Sequence, residues 1–253
     1  MKSAPDFNLR TAGPHPFIEY TAPCPDSRFF IRLYLRGPGM SNARGDPERS
    51  RAALSRSVPL QGPLIAPRQV HGDRILEGRP EHSLPNRPEA DGILLERCGV
   101  EGSLRFADCY PVILASTVPS PWIVILHSGF KGVLNDIAGS ACRLLFSTHG
   151  RTPESTFAWI GPGIGWKQYE RRRDDRWTEI GLRLFRPEHV DDGGGEILFD
   201  LGGQIASQLA DSGIPRANIR RLPLCTFERN DLFYSYRRGD EESRLFLLAF
   251  LGR

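Results

Sequence analysis

The sequence predicts an α+β fold (mixed α/β), a single layered domain in which a mixed β-sheet is flanked by helices. Three observations carry this expectation. Strand-like apolar runs and helical stripes are intermixed along the 253 residues. Adjacent strands and long loops break a strict βαβ alternation. Neither an internal repeat nor a long linker divides the chain, which is long enough to bury a sizeable core.

Residues 1–16 read as a loose, proline-containing lead-in, with 17–253 forming the domain. Phe29 to Arg36 alternates as a strand and ends at the turn Gly37-Pro38-Gly39. Asp46 is placed as an N-cap with Pro47 at the first helical position, which starts a helix through Leu54. Residues 78–90, rich in Pro, Glu and Arg, read as an exposed loop, and strands are expected at 91–95, 105–114 and 122–127. Apolar residues at two per turn over 133–147 predict an amphipathic helix with Cys142 on its core stripe and Gly150 beyond its end. A strand at 157–160, a short helix at 177–185, a Gly-rich turn at 191–195, a helix at 203–212 and strands at 219–224 and 245–251 complete the series.

Bulk composition excludes several function classes. With 33 basic and 30 acidic residues the chain is only mildly basic, too little to imply nucleic acid. Its densest basic run, Arg171-Arg172-Arg173, is answered at once by Asp174 and Asp175. The N-terminus is polar, without the apolar core of a signal peptide. The longest apolar stretch, Trp122–Leu126, is far short of the roughly 20 residues a membrane helix needs. Five scattered cysteines without paired motifs fit a reducing cytosol, where thiols stay free for packing, metal or catalysis.

The chemistry-bearing candidates are His71, Cys109 and His127. Each sits in a segment built to expose a side chain: Gln69-Val70-His71-Gly72, Ala107-Asp108-Cys109-Tyr110-Pro111, and Leu126-His127-Ser128-Gly129. Pro111 interrupts the ladder, so the strand stops or bends at the cysteine. His127 ends an apolar strand, and Gly129-Phe130-Lys131-Gly132 precedes a helix whose N–H groups could face an anion. Two imidazoles and a thiolate suit Zn²⁺ or another borderline-soft metal, and three protein ligands leave a position open for water or substrate. Their wide spacing means that the fold would have to assemble the site.

The chain resembles the multicopper polyphenol oxidase (laccase) domain family, also described as bacterial purine nucleoside phosphorylase-like proteins, from about residue 29 onward. The matching segments run in the family's order: Gln69–Gly72, Ala90–Ile93, Ala107–Val112, His127–Gly132, Ile160–Ile164 with Tyr169-Glu170, and Asp231, Phe233, Ser235, Arg237 and Arg238. The resemblance implies that His71, Cys109 and His127 bind zinc in a pocket for purine nucleosides. It further implies phosphorolysis, adenosine deamination and a copper-dependent phenol oxidase activity. A true laccase needs several coppers and many more histidines than the six present, although Cu²⁺ readily occupies a His/Cys site.

Deamination would use water acidified by the metal, whereas phosphorolysis needs a cation to hold phosphate beneath the sugar. Arg36 is the expected anion holder, with Lys131, Arg237 and Arg238 on the same rim and Ser41 and Gln69 contacting substrate. Lys131 and Phe130 stand where the family has Arg and Trp; Pro38, Gly163 and Ser243-Arg244 also depart from its pattern. These departures bear on substrate preference rather than on the ligands.

Two other readings use the same residues. A cysteine hydrolase, such as an amidase editing peptidoglycan precursors, would take Cys109 as nucleophile and a histidine as base. In an extended run Asp108 points away from Cys109, which leaves it poorly placed to orient that base. A partner-binding protein that has lost activity is the other reading.

Overall fold

The computed structural model describes residues 6–21, 28–41 and 46–252. Its strands, in chain order, are β1 (Asp6–Ala12), β2 (His15–Thr21), β3 (Phe29–Tyr34), β4 (Leu64–Ile65), β5 (Ile75–Glu77), β6 (Gly92–Leu95), β7 (Glu101–Phe106) and β8 (Tyr110–Ser116). They continue as β9 (Trp122–Ser128), β10 (Phe157–Ile160), β11 (Glu170–Arg171), β12 (Val190–Gly194), β13 (Glu196–Phe199), β14 (Ile219–Arg221) and β15 (Leu245–Leu251). The α-helices are α1 (Pro47–Leu54), α2 (Phe130–Leu134), α3 (Ile137–Arg143), α4 (Arg176–Leu184) and α5 (Leu201–Asp211).

Instead of one mixed sheet, the described residues form two six-stranded sheets and a small third. The first has the order β1-β2-β3-β15-β7-β4, the second β14-β10-β8-β9-β6-β5, and the third β11-β13-β12. Alternation along the central strands explains the layering. Ile113, Ala115, Ile123, Ile125 and Trp159 join Leu33, Leu104 and Leu247 of the first sheet in one buried core. Their neighbours Val112, Leu114, Val124, Leu126 and Ile160 turn the other way, onto Ile137, Ala141 and Cys142 of α3 and Ile205 and Leu209 of α5. A strand buried on both faces reads as a continuous apolar run, which is why 122–126 shows no polar alternation.

Several expected elements are redrawn. The described part of the expected lead-in is a hairpin: β1 and β2 pair from Asp6↔Thr21 to Ala12↔His15, with Gly13 at φ 58 in its turn. The strand expected at 105–114 is two strands, β7 in the first sheet and β8 in the second, with 107–109 crossing between them. The helix expected at 133–147 begins at Phe130 and breaks at Asp136, which adopts φ 54 and caps Gly139 N–H at 3.1 Å. The Gly-rich 191–195 segment lies mostly within β12 and pairs irregularly with β13. The other predicted helices form as expected, with Asp46, Asp175 and Asp200 as their N-caps. Among the described residues no helix is long and apolar enough to cross a membrane.

Candidate metal centre and its cavity

The chain crosses from the first sheet to the second between β4 and β5, and again between β7 and β8. His71 lies on the first crossing and Cys109 on the second, while His127 sits near the end of β9. One potential ligand atom from each lies within 4.8 Å of the others. The two imidazole rings meet edge to face with centroids 4.8 Å apart. A side chain on Gly129 would not fit: a Cβ there would stand 2.7 Å from Cys109 Sγ and 2.8 Å from His71 Cδ2.

Asp91 organises the trio from behind. Its fully buried carboxylate accepts from Val70 N at 3.0 Å, His71 N at 3.0 Å, Gly72 N at 2.8 Å and His127 Nδ1 at 2.8 Å. His71 needs this support because its backbone is left-handed, at φ 60. With Nδ1–H given to Asp91, His127 turns Nε2 toward the thiol, the arrangement that fixes the tautomer of a ligating histidine. Burial opposes the Asp91 charge, yet the His127 bond and the backbone N–H groups hold its pKa below the ordinary value.

Burial likewise opposes ionisation of Cys109, but His127 and His71 outweigh it and bring the thiol down to about 6. The burial penalty on His127 is overcome in turn by Cys109 and Asp91, which push the imidazole up to about 9. Free of metal, the pair is a thiolate beside an imidazolium. Two imidazoles, a thiolate and a carboxylate bound to one ring form a donor set that fits Zn²⁺ or Cu²⁺.

The trio borders a cavity of about 720 Å³ that is also lined by Gln69, Asp108, Tyr169, Tyr236 and five arginines, Arg68, Arg87, Arg105, Arg237 and Arg244. A smaller cleft of about 260 Å³ on the side of His71 and Cys109 contains Phe130, Lys131, Tyr169, Arg171 and Trp177.

The expected substrate residues divide. Gln69 borders the main cavity but uses its amide on the Arg105 backbone, donating to the carbonyl at 2.8 Å and accepting from the N–H at 2.9 Å. Arg237 lines the cavity with its guanidinium on the Gln168 and Glu170 carbonyls. Lys131 lies in the smaller cleft, 4.5 Å from the Trp177 ring centre. Arg36, expected on the rim, lies outside both spaces: it pairs with Asp240 at 2.7 Å and donates to the Phe233 carbonyl. Ser41 bonds Tyr234 Oη at 2.5 Å, and Arg238 donates to the Phe227 carbonyl; neither lines either space. The helix whose N-terminus was expected to face an anion, α2, has only five residues, too few for an appreciable dipole.

Asp108 departs from the extended geometry expected of it. It takes φ 78 and its carboxylate accepts from Thr226 Oγ1 and the Arg237 N–H, both at 2.7 Å. It thereby ties the C-terminal loop to the cavity. The carboxylate that orients a histidine is Asp91, whose segment is conspicuous in the sequence but whose task emerges only when the 70–72 turn folds around it. Arg105 was hidden inside an apolar strand.

Residues 39–250 match the family described as Multi-copper polyphenol oxidoreductase laccase. The chain is 28% identical over 218 residues to a protein named purine nucleoside phosphorylase from Xylella fastidiosa, covering 81% of this chain and 78% of that one. It is 25% identical over 198 residues to purine nucleoside phosphorylase YfiH of Escherichia coli, covering 78% of each. Its fold superposes on the crystal structure of YlmD from Geobacillus stearothermophilus with a TM-score of 0.83 at 21% identity, covering 98% of this chain and 100% of that one. The family match spans most of the chain and contains all three converging side chains, so the protein belongs to the multi-copper polyphenol oxidoreductase laccase family.

Proposed function

We propose that this protein is a zinc-dependent purine nucleoside phosphorylase that also deaminates adenosine. The observation that carries the reading is the convergence of His71, Cys109 and His127 at the wall of an open, cation-lined cavity. The names of the relatives support the nucleoside and phosphate substrates. A neutral nucleoside with inorganic phosphate suits a space of about 720 Å³ in which tyrosines stand beside arginines.

His71, Cys109 and His127 would hold the metal, which when bound supplies Lewis acidity and lowers the pKa of water. The chain's own contributions are positional and electrostatic. Asp91 keeps the His127 proton on Nδ1 and so leaves Nε2 free as a ligand. Tyr169 and Tyr236 offer apolar faces to a base or sugar, and the arginines favour an anion alongside them. Copper could occupy the same ligands. Among the described residues only this one group of three could hold an ion, which gives a multi-copper oxidase no second centre there.

A thiol-nucleophile reading has its own support. Cys109, His127 and Asp91 are in the order of nucleophile, base and orienting carboxylate, and the thiol is brought down to about 6. The two readings separate on metal dependence. Purified protein of known metal content is screened by mass spectrometry against a nucleoside panel with and without phosphate. On the metal reading, chelation abolishes turnover and zinc restores it. Full turnover by metal-free protein, lost one-for-one on alkylation of Cys109, would establish the nucleophile instead.

A further inference from the structure

The main cavity carries more positive charge than a neutral nucleoside can use. Of its five arginines, Arg68 is paired with Glu89, Arg237 is engaged with two carbonyls, and Arg244 donates to the carbonyls of Asp240, Glu241 and Ser243. Asp108 is already engaged by Thr226 and the Arg237 backbone, and Asp46 caps α1.

Arg105 and Arg87 are different. Arg105 is only 7% exposed; its Nη2 donates to the Pro67 carbonyl at 2.5 Å, and its Nη1 is buried with no hydrogen-bond partner among the described residues. Arg87 donates to the same Pro67 carbonyl at 3.3 Å and to the Ala66 carbonyl at 2.9 Å. Two guanidinium groups therefore meet at one carbonyl, and among the described residues neither forms an ion pair. Asp46 and Asp91 act on Arg105 only at longer range. Burial and the charge of Arg87 both weigh on Arg105, pulling it down to about 9. A buried cation with an unmet N–H beside a like charge is costly unless an anion completes it. Gln69 clamps the Arg105 backbone on both sides, so the position is fixed in advance.

We propose that Arg105 and Arg87 form the seat of a phosphoryl group in the cavity beside the metal centre. The inference deepens the nucleoside reading and relies on it for the substrate's other half, whereas the anion seat rests on the two arginines alone. The same oxyanion chemistry would accept inorganic phosphate or the 5′-phosphate of a nucleotide. Because Arg87 and Arg105 line the main cavity and Arg36 does not, the seat is distinct from the Arg36 position that the sequence suggested.

The test is calorimetric titration of the metal-loaded protein with inorganic phosphate and, separately, adenosine 5′-monophosphate. Arg105→Gln and the exposed Arg87→Gln should each weaken binding of the preferred anion at least about tenfold, as expected for loss of a charge-assisted hydrogen bond. Arg105→Lys should fall between wild type and Arg105→Gln. Unfolding curves identify any variant that fails to fold; Arg87→Gln, at an exposed position, then carries the test. Phosphate binding that persists beside adenosine marks the free ion as the source, and tight monophosphate binding that excludes phosphate marks the ester. No binding of either anion by the wild type, or equal binding by wild type and Arg87→Gln, overturns the seat. Phosphate binding without phosphorolysis keeps the seat and removes the phosphorylase reading. Phosphorolysis with an unchanged KM for phosphate in folded Arg105→Gln does the reverse.

Discussion

Replacing Asp91 by Asn tests how the proposed metal centre is held. The carboxylate serves four donors: one oxygen takes His71 N and His127 Nδ1, the other Val70 N and Gly72 N. An amide keeps one oxygen and turns an NH₂ toward the other two donors. Each buried donor left unmatched costs about 1–3 kcal/mol, so the substitution should destabilise the metal-free protein by about 2–6 kcal/mol. For a chain of this size that corresponds to a fall in Tm of roughly 5–20 °C. If the NH₂ faces His127, the ring must accept at Nδ1 and carry its proton on Nε2, where the ligand lone pair is needed. If it faces Val70 and Gly72, the His71 turn loosens. Either orientation should weaken zinc binding about 10–100-fold in a chelator competition. Asp91 also titrates below the ordinary carboxylate range, so its contribution is present above that range and lost as pH falls through its folded value. The acid limb of stability should flatten in Asp91→Asn. Unchanged Tm together with unchanged zinc affinity would refute the organising role.

Four further outcomes follow from the same geometry. In metal-free protein, alkylation of Cys109 should rise to half its plateau near pH about 6, while Cys142, pushed up by burial to about 12, stays unreactive across that range; equal rates at the two thiols would contradict the site. Cys109, brought down to about 6, favours the fold more as pH rises, and His127, pushed up to about 9, favours it more as pH falls. Between about 7 and 9 the two trends offset, so the metal-free melting temperature should change little there, and a steep slope that disappears in Cys109→Ser would contradict the paired shifts. Gly129→Ala should abolish zinc binding while the far-ultraviolet spectrum is kept, since its Cβ would stand within 3 Å of both Cys109 and His71; normal zinc content would contradict this. Arg36→Ala should lower Tm by several degrees, at about 1–3 kcal/mol for bonds to Asp240 and Phe233, and leave the KM for phosphate within about twofold.

The parts of the structure legible in the sequence are those set by local chemistry. Asp46 announces a helix start because a capping carboxylate acts on N–H groups two or three residues away, whereas the caps Asp175 and Asp200 emerge only with the folded helices. His71, Cys109 and His127 are conspicuous because glycine, proline or charge interrupts apolar runs beside them. Long-range pairing is less legible. The β1–β2 hairpin is masked by Gly13, Pro14 and Pro16 and by the exposed polar face of β1, and its stability comes from pairing with β3. The apolar runs of β8 and β9 announce burial on both faces without saying that one face meets a sheet and the other helices. Arg36 lies two residues beyond the end of β3 rather than on the strand expected to reach it, and its role depends on Asp240, far along the chain. Arg105 lies in a strand whose neighbours dominate the pattern, so its unmatched Nη1 becomes visible only with Pro67 and Arg87 in place.

The two strand crossings have a mechanical consequence. His71 and Cys109 lie on the segments that stitch one sheet to the other, so an ion gripping both would act as a rivet through the seam of the sandwich. Prising the sheets apart would then require releasing the ion, and ligand occupancy a hundredfold above Kd would add about 2.7 kcal/mol to the resistance. Amide protons along 66–72 and 107–110 should exchange more slowly with metal than without it, while the β1–β2 hairpin, remote from the rivet, keeps its rate. Metal supply would thus govern the mechanical integrity of the scaffold as well as its chemistry.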